Sequence, residues 1–307
     1  MRNRVANSRA IMTARARRLL LLSWRMLLLL VLLAFSKAAL AQARTADPLR
    51  RGLQLSDFPR IVRLADNVYG YEEIRQPGFT TVSLVVIGRD GVLIADGQGS
   101  VQATQTMLDR IGTLSPLPVR WYVVGSDHGD HTGGNAALPK DVTMITRAGL
   151  SGDERHIDVG GTTVRVVFLG RAHTGSDLSV HLPNERILFM SEAYLNRVFP
   201  AMRSAFPSEW VRVVDRALAM DVDRFVPGHG FIEDPSVSRE ELVAFRDALV
   251  YVISEVKRLH GLGHSAGDAI AQANWGRYAE WFLREQQAPI AVRKIYEEIE
   301  GKLPPPR

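Results

Sequence analysis

Two imidazoles and two carboxylates occur within the six consecutive residues 126–131, in the order Ser-Asp-His-Gly-Asp-His. This loop directly follows the apolar run Val119–Val124, which predicts a buried strand. Catalytic groups often lie in loops at strand ends, because the strand fixes the loop and the loop exposes its side chains. Imidazole nitrogens and carboxylate oxygens are donors that zinc and related metals bind. The loop therefore indicates a metal site, and the alternative is a solvated polar turn.

Three later apolar segments are each followed by another possible metal ligand. These ligands are His173, Glu192 and His229, after the segments 162–169, 186–190 and 224–227 respectively. If the strand ends share one edge of a sheet sandwich, the four loops converge on a single cleft. One site then explains all four occurrences.

The order and spacing of these residues resemble the metallo-β-lactamase superfamily. Its motif reads His-x-His-x-Asp-His, followed by a distant histidine, an acidic residue after a strand and a final Gly-His, and it matches over roughly residues 60–232. The flanking residues Asp130–Gly134 and Pro227–Gly230 make the match specific. The resemblance implies an α/β fold of the αββα sandwich type, with a helical C-terminal region and a site for one or two metal ions, usually zinc.

The resemblance also assigns each ligand to one of two metal positions. The assignment is His128 and His173 for the first position, Asp130, His131 and His229 for the second, and Glu192 where an aspartate normally bridges the two ions.

This sequence departs from the family pattern at two positions. Ser126 stands where the first histidine belongs, and Glu192 replaces the aspartate. A neutral hydroxyl is a much poorer zinc ligand than imidazole, so the first position keeps only two strong ligands. We therefore expect the second position to fill first. Glu192 is one methylene longer than aspartate and has the reach either to bridge two ions or to bind one.

The expected chemistry follows from zinc. Bound zinc lowers the pKa of its water to roughly 7, which supplies hydroxide at neutral pH, and it polarises a carbonyl or phosphoryl oxygen. Asp130 is the catalytic candidate, because it can both bind the metal and orient the water. The sequence predicts hydrolysis of a small-molecule ester, lactone, amide, β-lactam or phosphoester, without choosing among them.

Two other functions compete with this one. Ser126 keeps open a binding or accessory protein that retains the fold with a weakened metal site. An iron-dependent redox enzyme is disfavoured, because no extra ligands or domains for iron are evident.

Other polar residues have simpler interpretations. Asp96 and Asp177 are expected to orient loops or a ligand histidine. A structural or surface role is expected for the histidines outside the motif loops, His156, His181, His260 and His264. A solvated loop is expected for Tyr194, Arg197 and Arg203, and the alternative is contact with an anionic substrate.

Composition and charge argue against nucleic-acid binding and cysteine chemistry. The 307 residues are 46% hydrophobic and 23% charged, as in a globular protein. The net charge of +5 comes from eight basic and no acidic residues in positions 1–41, so the remainder carries −3. This mildly acidic body gives no electrostatic basis for nucleic-acid binding. Cysteine is absent, so disulfides, thiolate nucleophiles and sulfur ligands are excluded.

The N-terminal segment has the pattern of an export signal. A basic region ends at Arg18, a leucine-rich run covers residues 19–34, and small residues precede a cleavage site near Ala41. We expect export, most simply to the periplasm, and the alternative is an uncleaved membrane anchor. The remaining chain is divided into an irregular lead-in (42–59), the metallo-β-lactamase-like domain (60–235) and a C-terminal helical extension (236–307).

Overall fold

The computed structural model describes residues 43–75 and 78–305, and the chain from Arg44 onward forms one unit. The predicted export signal lies outside the described residues. Two β-sheets, one of six strands and one of five, organise this unit. None of the helices within the described ranges has the length and apolar character needed to cross a membrane.

The first sheet has its strands in chain order. They are β1 (Arg60–Ala65), β2 (Val68–Arg75), β3 (Phe79–Ile87), β4 (Val92–Ala95), β5 (Val119–Val123) and β6 (Thr143–Ile145). The pairs from β1 to β4 are antiparallel, and β5 and β6 continue the sheet in parallel. Every residue of β4 is buried, as expected of a strand covered on both faces.

The second sheet has the order β11-β10-β9-β8-β7. Its strands are β7 (Glu154–Asp158), β8 (Thr163–Val167), β9 (Ser179–Leu182), β10 (Ile187–Phe189) and β11 (Arg224–Val226). Only the pair β10 and β11 is parallel. Sequence reasoning missed β7, which is an edge strand with one buried residue, Ile157, and so has no apolar run.

Within the described residues, six α-helices accompany the sheets. They are α1 (Val101–Leu114), the single turn α2 (Gly129–Thr132), α3 (Pro207–Leu218), α4 (Pro235–Gly261), α5 (Ala266–Gln272) and α6 (Arg284–Ile299). The predicted lead-in contains two short 3-10 helices, Leu49–Arg51 and Leu55–Asp57.

Apolar side chains form three layers of core. Residues such as Leu93 and Phe189 fill the space between the two sheets. Met107 and Ile111 of α1 cover the outer face of the first sheet, and Trp210 of α3 packs in the core that α4 to α6 form on the second. The predicted αββα sandwich is confirmed.

The start of α4 differs from the sequence prediction. Residues 238–241, Ser-Arg-Glu-Glu, have the pattern of a capping box, which predicts a helix start at Ser238. This prediction is wrong, because the helix begins at Pro235 with Asp234 as its cap, whose Oδ1 accepts the Ser236 N–H at 2.9 Å. Ser238 Oγ instead accepts the Phe225 N–H of β11 at 2.7 Å. The Ser238 hydroxyl therefore joins α4 to the strand that leads to His229.

Candidate metal centre

The loop after β5 folds into the single turn α2, which carries three predicted ligands. His128 precedes the turn, Asp130 lies in it and is partly exposed, and His131 is fully buried. The glycine pair that follows is required by close packing. A Cβ on Gly134 would lie 1.9 Å from Thr104 Oγ1 of α1, far inside van der Waals contact. The pair therefore lets the loop lie directly on the start of α1.

The other three ligands lie in the loops that follow β8, β10 and β11. His173 is packed edge-on against Trp210, with ring centroids 5.3 Å apart. Trp210 Nε1 also donates to the carbonyl of Ala193, next to Glu192, at 2.8 Å. One tryptophan of α3 therefore supports two ligand loops.

His229 is held by the first sheet. Its backbone forms an isolated bridge with Thr81, and its Nδ1 lies 2.8 Å from the carbonyl oxygen of Thr80. Because a carbonyl only accepts, Nδ1 carries a proton, and Nε2 is the nitrogen that faces the other donors and is available to a metal. Phe79 packs edge-on against this imidazole at 4.9 Å.

Four side chains, called here the Asp130 group, bring their donor atoms together. The group consists of Asp130, His131, Glu192 and His229, whose donor atoms all lie within 4.8 Å of one another. His229 Nε2 is 3.0 Å from Asp130 Oδ2, 3.2 Å from Glu192 Oε1 and 3.3 Å from His131 Nε2. Such spacing suits donors arranged around one cation.

Asp96 orients the second histidine of this group. His131 Nδ1 lies 3.0 Å from Asp96 Oδ2, which leaves Nε2 facing the other donors. The other oxygen of Asp96 accepts the N–H groups of Gly125 and Ser126 at 2.7 and 3.2 Å, and Ser191 Oγ donates to Oδ2. Asp96 thus fixes the loop backbone and the imidazole together.

A second set of donors, the His128 group, consists of His128, His173 and Glu192. Glu192 Oε2 lies 3.0 Å from His128 Nδ1 and 3.1 Å from His173 Nδ1. Ser126 Oγ donates to the same oxygen at 2.5 Å. Glu192 therefore turns one oxygen toward each group, and Ser126 hydrogen-bonds to a ligand instead of supplying one.

The electrostatics of both groups favour added positive charge. Burial lowers the pKa of His229, but hydrogen bonds to Asp130 and Glu192 outweigh burial and raise the pKa to about 9. Burial also opposes protonation of His131, whose pKa is nevertheless raised by Asp96 and Glu192. Conversely, burial raises the pKa of Glu192, but the surrounding histidines hold that pKa well below its usual range.

These observations test whether the residues suit a metal ion. His131 Nδ1 and His173 Nδ1 are both buried without a hydrogen bond of normal geometry among the described residues, and each lies close to a carboxylate oxygen, that of Asp96 and that of Glu192 respectively. A buried polar atom without a partner is uncommon. Together with the ionised carboxylates and the oriented Nε2 atoms of the Asp130 group, it fits nitrogen and oxygen ligands of a transition metal.

The remaining predicted residues lie outside both groups. Asp177 Oδ2 accepts the Thr174 N–H at 2.7 Å and so shapes the loop of His173. The four other histidines take no part in either donor set. The expectation of a solvated loop is wrong for Tyr194, which is fully buried, and for Arg197, which pairs with Glu241 at 2.5 Å.

Sequence reasoning missed Arg75. This residue ends β2, and its Nη1 contacts Asp130 Oδ2 directly. No motif marks it, because the contact depends on how the β2–β3 hairpin lies beside the loop after β5.

Comparison with known proteins agrees with the fold. No family model matches the chain. The α subunit of a 2,4-dinitroanisole O-demethylase from Nocardioides sp. is 23% identical over 169 residues, which are 48% of this chain and 52% of that protein. A lactamase-like protein from Pestalotiopsis microspora is 29% identical over 215 residues, or 64% of this chain and 62% of that one. The matches thus span about half to three fifths of these relatives.

Solved structures show the fold more fully. The inverting sec-alkylsulfatase Pisa1 from Pseudomonas sp. superposes with a TM-score of 0.68 and 14% identity, covering 83% of this chain and 52% of that one. A metallo-β-lactamase from Pontibacter korlensis superposes with a TM-score of 0.52 and 19% identity, covering 61% of this chain and 98% of that one. The chain has the metallo-β-lactamase fold, and the resemblance predicted from its motifs is confirmed.

Proposed function

We propose that this chain is a zinc-dependent hydrolase of a small-molecule substrate, with zinc bound first by Asp130, His131 and His229. The observation that supports the proposal is the convergence of buried donors in the Asp130 group, with both Nε2 atoms oriented by partners behind the rings. Asp130, His131 and His229 supply two histidines and a carboxylate, a ligand set of catalytic zinc sites that leaves a fourth position open. Glu192 Oε1 lies beside these ligands, 3.2 Å from His229 Nε2, and its other oxygen is turned to the His128 group.

Zinc bound there supplies a Lewis acid for the scissile group and acidifies water. The chain's own residues have separate roles in this proposal. Thr80 and Asp96 keep His229 and His131 in the tautomer that binds metal. Asp130, the most exposed member of the group, also orients the attacking water, because its carboxylate faces the opening.

The proposed site suits several substrate classes. Esters, lactones, amides, β-lactams and phosphoesters all present an oxygen that zinc polarises. The structural likeness to an alkylsulfatase adds sulfate esters to this range.

The likeness to the alkylsulfatase also extends into the C-terminal helices. It covers 83% of the chain, whereas residues 1–235 make up less than four fifths of it.

Elemental analysis with matched variants tests the proposal. We expect about one zinc per chain, and we expect His229→Ala to lose both zinc and hydrolysis. His156→Ala is the control, because His156 lies on β7 with an exposed side chain paired to Glu154. A chain that binds no transition metal in zinc-replete buffer would contradict the hydrolase and favour the binding protein that Ser126 suggested.

Export is a separate part of the proposal. Its support is the basic and leucine-rich pattern of residues 1–41. Expression of the full chain followed by N-terminal sequencing of the soluble exported fraction tests it. We expect a mature N-terminus near Gln42, and retention of the intact chain in the membrane fraction would indicate the uncleaved anchor.

A further inference from the structure

Arg75 places a guanidinium at the opening of the Asp130 group. The residue ends β2 and lies opposite Phe79 across the β2–β3 hairpin. Its side chain is 38% exposed, whereas that of Asp130, its ion-pair partner, is 15% exposed. The guanidinium therefore touches the group on one side and solvent on the other.

The neighbours of Arg75 fix its position. Its guanidinium carbon lies 5.1 Å from the centre of the Phe79 ring, and the same ring packs against His229. A cation over an aromatic face is attracted to it. Phe79 thus forms an apolar wall between Arg75 and a proposed zinc ligand, and Phe282 extends that wall with its ring centre 5.8 Å from that of Phe79.

The donors of Arg75 leave room for an anion. Among the described residues, its guanidinium contacts Asp130 through Nη1. Its Nε and Nη2 donors are therefore available to an oxyanion on the solvent side of the guanidinium. With zinc in place, Asp130 is shared between the metal and Arg75.

We propose that Arg75 binds the anionic group of the substrate, and that the substrate is a small molecule with a carboxylate or sulfate group beside an apolar body. This inference rests on the proposed zinc site. An arginine suits this role because its planar fork donates two parallel hydrogen bonds to an oxyanion, which a lysine cannot reproduce. Phe282, which is partly exposed, contacts the apolar body, and the buried Phe79 supports it from behind.

Calorimetric binding to the zinc-loaded full chain tests the inference. Hexanoate and hexyl sulfate are the anionic probes, and hexan-1-ol is the neutral probe of similar size. We expect Arg75→Gln to lower the affinity for both anions by about tenfold, as for the loss of a charge-assisted hydrogen bond. The affinity for hexan-1-ol should change by less than about twofold. We expect Arg75→Lys to bind both anions with affinities between those of wild type and Arg75→Gln. A loss confined to one anion would support the inference and narrow the substrate to that group.

The control is Arg89→Gln. Arg89 is exposed and follows β3 at the end opposite to Phe79, so its loss should change none of the three affinities. Equal binding of both anions to wild type and Arg75→Gln at equal zinc content would overturn the inference. The inference would also be overturned if Arg75→Gln lost zinc while its zinc-loaded molecules bound both anions as tightly as wild type. Arg75 would then act only by supporting Asp130.

Turnover is measured separately, so the two proposals fail separately. If anion binding depends on Arg75 but the chain hydrolyses no ester, lactone, amide, β-lactam, phosphoester or sulfate ester, the inference about Arg75 stands and the hydrolase is wrong. If the chain binds zinc and hydrolyses neutral esters without any dependence on Arg75, the hydrolase stands and this inference is wrong.

Discussion

Ser126 donates its hydroxyl to Glu192 Oε2 and accepts the N–H of His128 at 3.3 Å. The residue is fully buried, and it stands where the family pattern has a metal-binding histidine. Glu192 has the extra methylene that lets one oxygen reach Ser126 while the other stays with His229. The two departures from the family pattern therefore form one hydrogen-bonded pair.

Restoring the histidine should restore the first metal position. We expect Ser126→His to raise the zinc content from about one toward two per chain, because imidazole would join His128 and His173 as a third nitrogen donor. Ser126→Ala is the control, and its zinc content should stay near one. Unchanged stoichiometry in Ser126→His, measured by elemental analysis after dialysis, would mean that the missing histidine does not limit this position.

Asp96 acts on the Asp130 group by orienting His131, whose Nδ1 lies 3.0 Å from Asp96 Oδ2. Its backbone is left-handed (φ 62°), which asparagine tolerates, so Asp96→Asn is a conservative change. We expect zinc affinity to fall by about ten- to a hundredfold, as for other partners behind a ligand histidine. Competition with a chromogenic chelator measures this, with the exposed Asp158→Asn as control. Equal affinity in both variants would remove Asp96 from this role.

The candidate site was predictable to the extent that local sequence encodes it. The donors His128, Asp130 and His131 are adjacent in the chain, and His173 and His229 each follow an apolar strand. Arg75 was not predictable, because its contact with Asp130 joins residues 55 positions apart through a hairpin.

At the scale of elements, strands with continuous apolar runs were predicted near their observed bounds. The edge strand β7 was missed, because only Ile157 of its five residues is buried. The N-terminus of α4 was misplaced for a different reason. Ser238 has the sequence of a cap, but tertiary packing uses its hydroxyl for Phe225, and Pro235 begins the helix.

Strand β2 carries a buried acid that should make stability depend on pH. Burial raises the pKa of Glu72, although Arg60 and the N–H of Ile232 partly oppose the rise. An acid with a raised folded-state pKa contributes stability below its unfolded pKa of about 4.3, and this contribution is lost as pH rises through the folded value. Glu72 therefore makes the chain less stable at neutral pH than near pH 4.

Replacing Glu72 removes that cost. Glu72→Gln keeps an oxygen for the Ile232 N–H and loses the charge. We expect this variant to be more stable than wild type at pH 7.5, and the difference to shrink as the pH falls toward 4. Urea unfolding at both pH values measures it. A variant that is less stable at pH 7.5 would show that the ionised carboxylate is net favourable beside Arg60.

At the scale of the whole molecule, the lead-in belongs to the folded unit. Ala46 is fully buried in the core shared by α3 to α6. Arg51 Nε donates to the carbonyl of Thr45 at 2.5 Å, and its guanidinium pairs with Glu233 just before α4. Arg44 Nη1 contacts Glu240 at 2.7 Å. The lead-in thus holds the β11–α4 connection that follows His229.

Truncation separates this stretch from the predicted export signal. A chain that begins at Gln42 keeps every contact described above, so we expect its melting temperature and zinc content to match those of the exported protein. A chain that begins at Leu53 loses the buried Ala46 and the Arg51 ion pair. We expect it to melt about 5 °C lower, since the loss of about 2 kcal/mol shifts a domain of this size by several degrees. Equal melting of the two chains in a calorimeter would mean that the lead-in adds nothing to the stability of the folded unit, and its contacts would then not support the loop of His229.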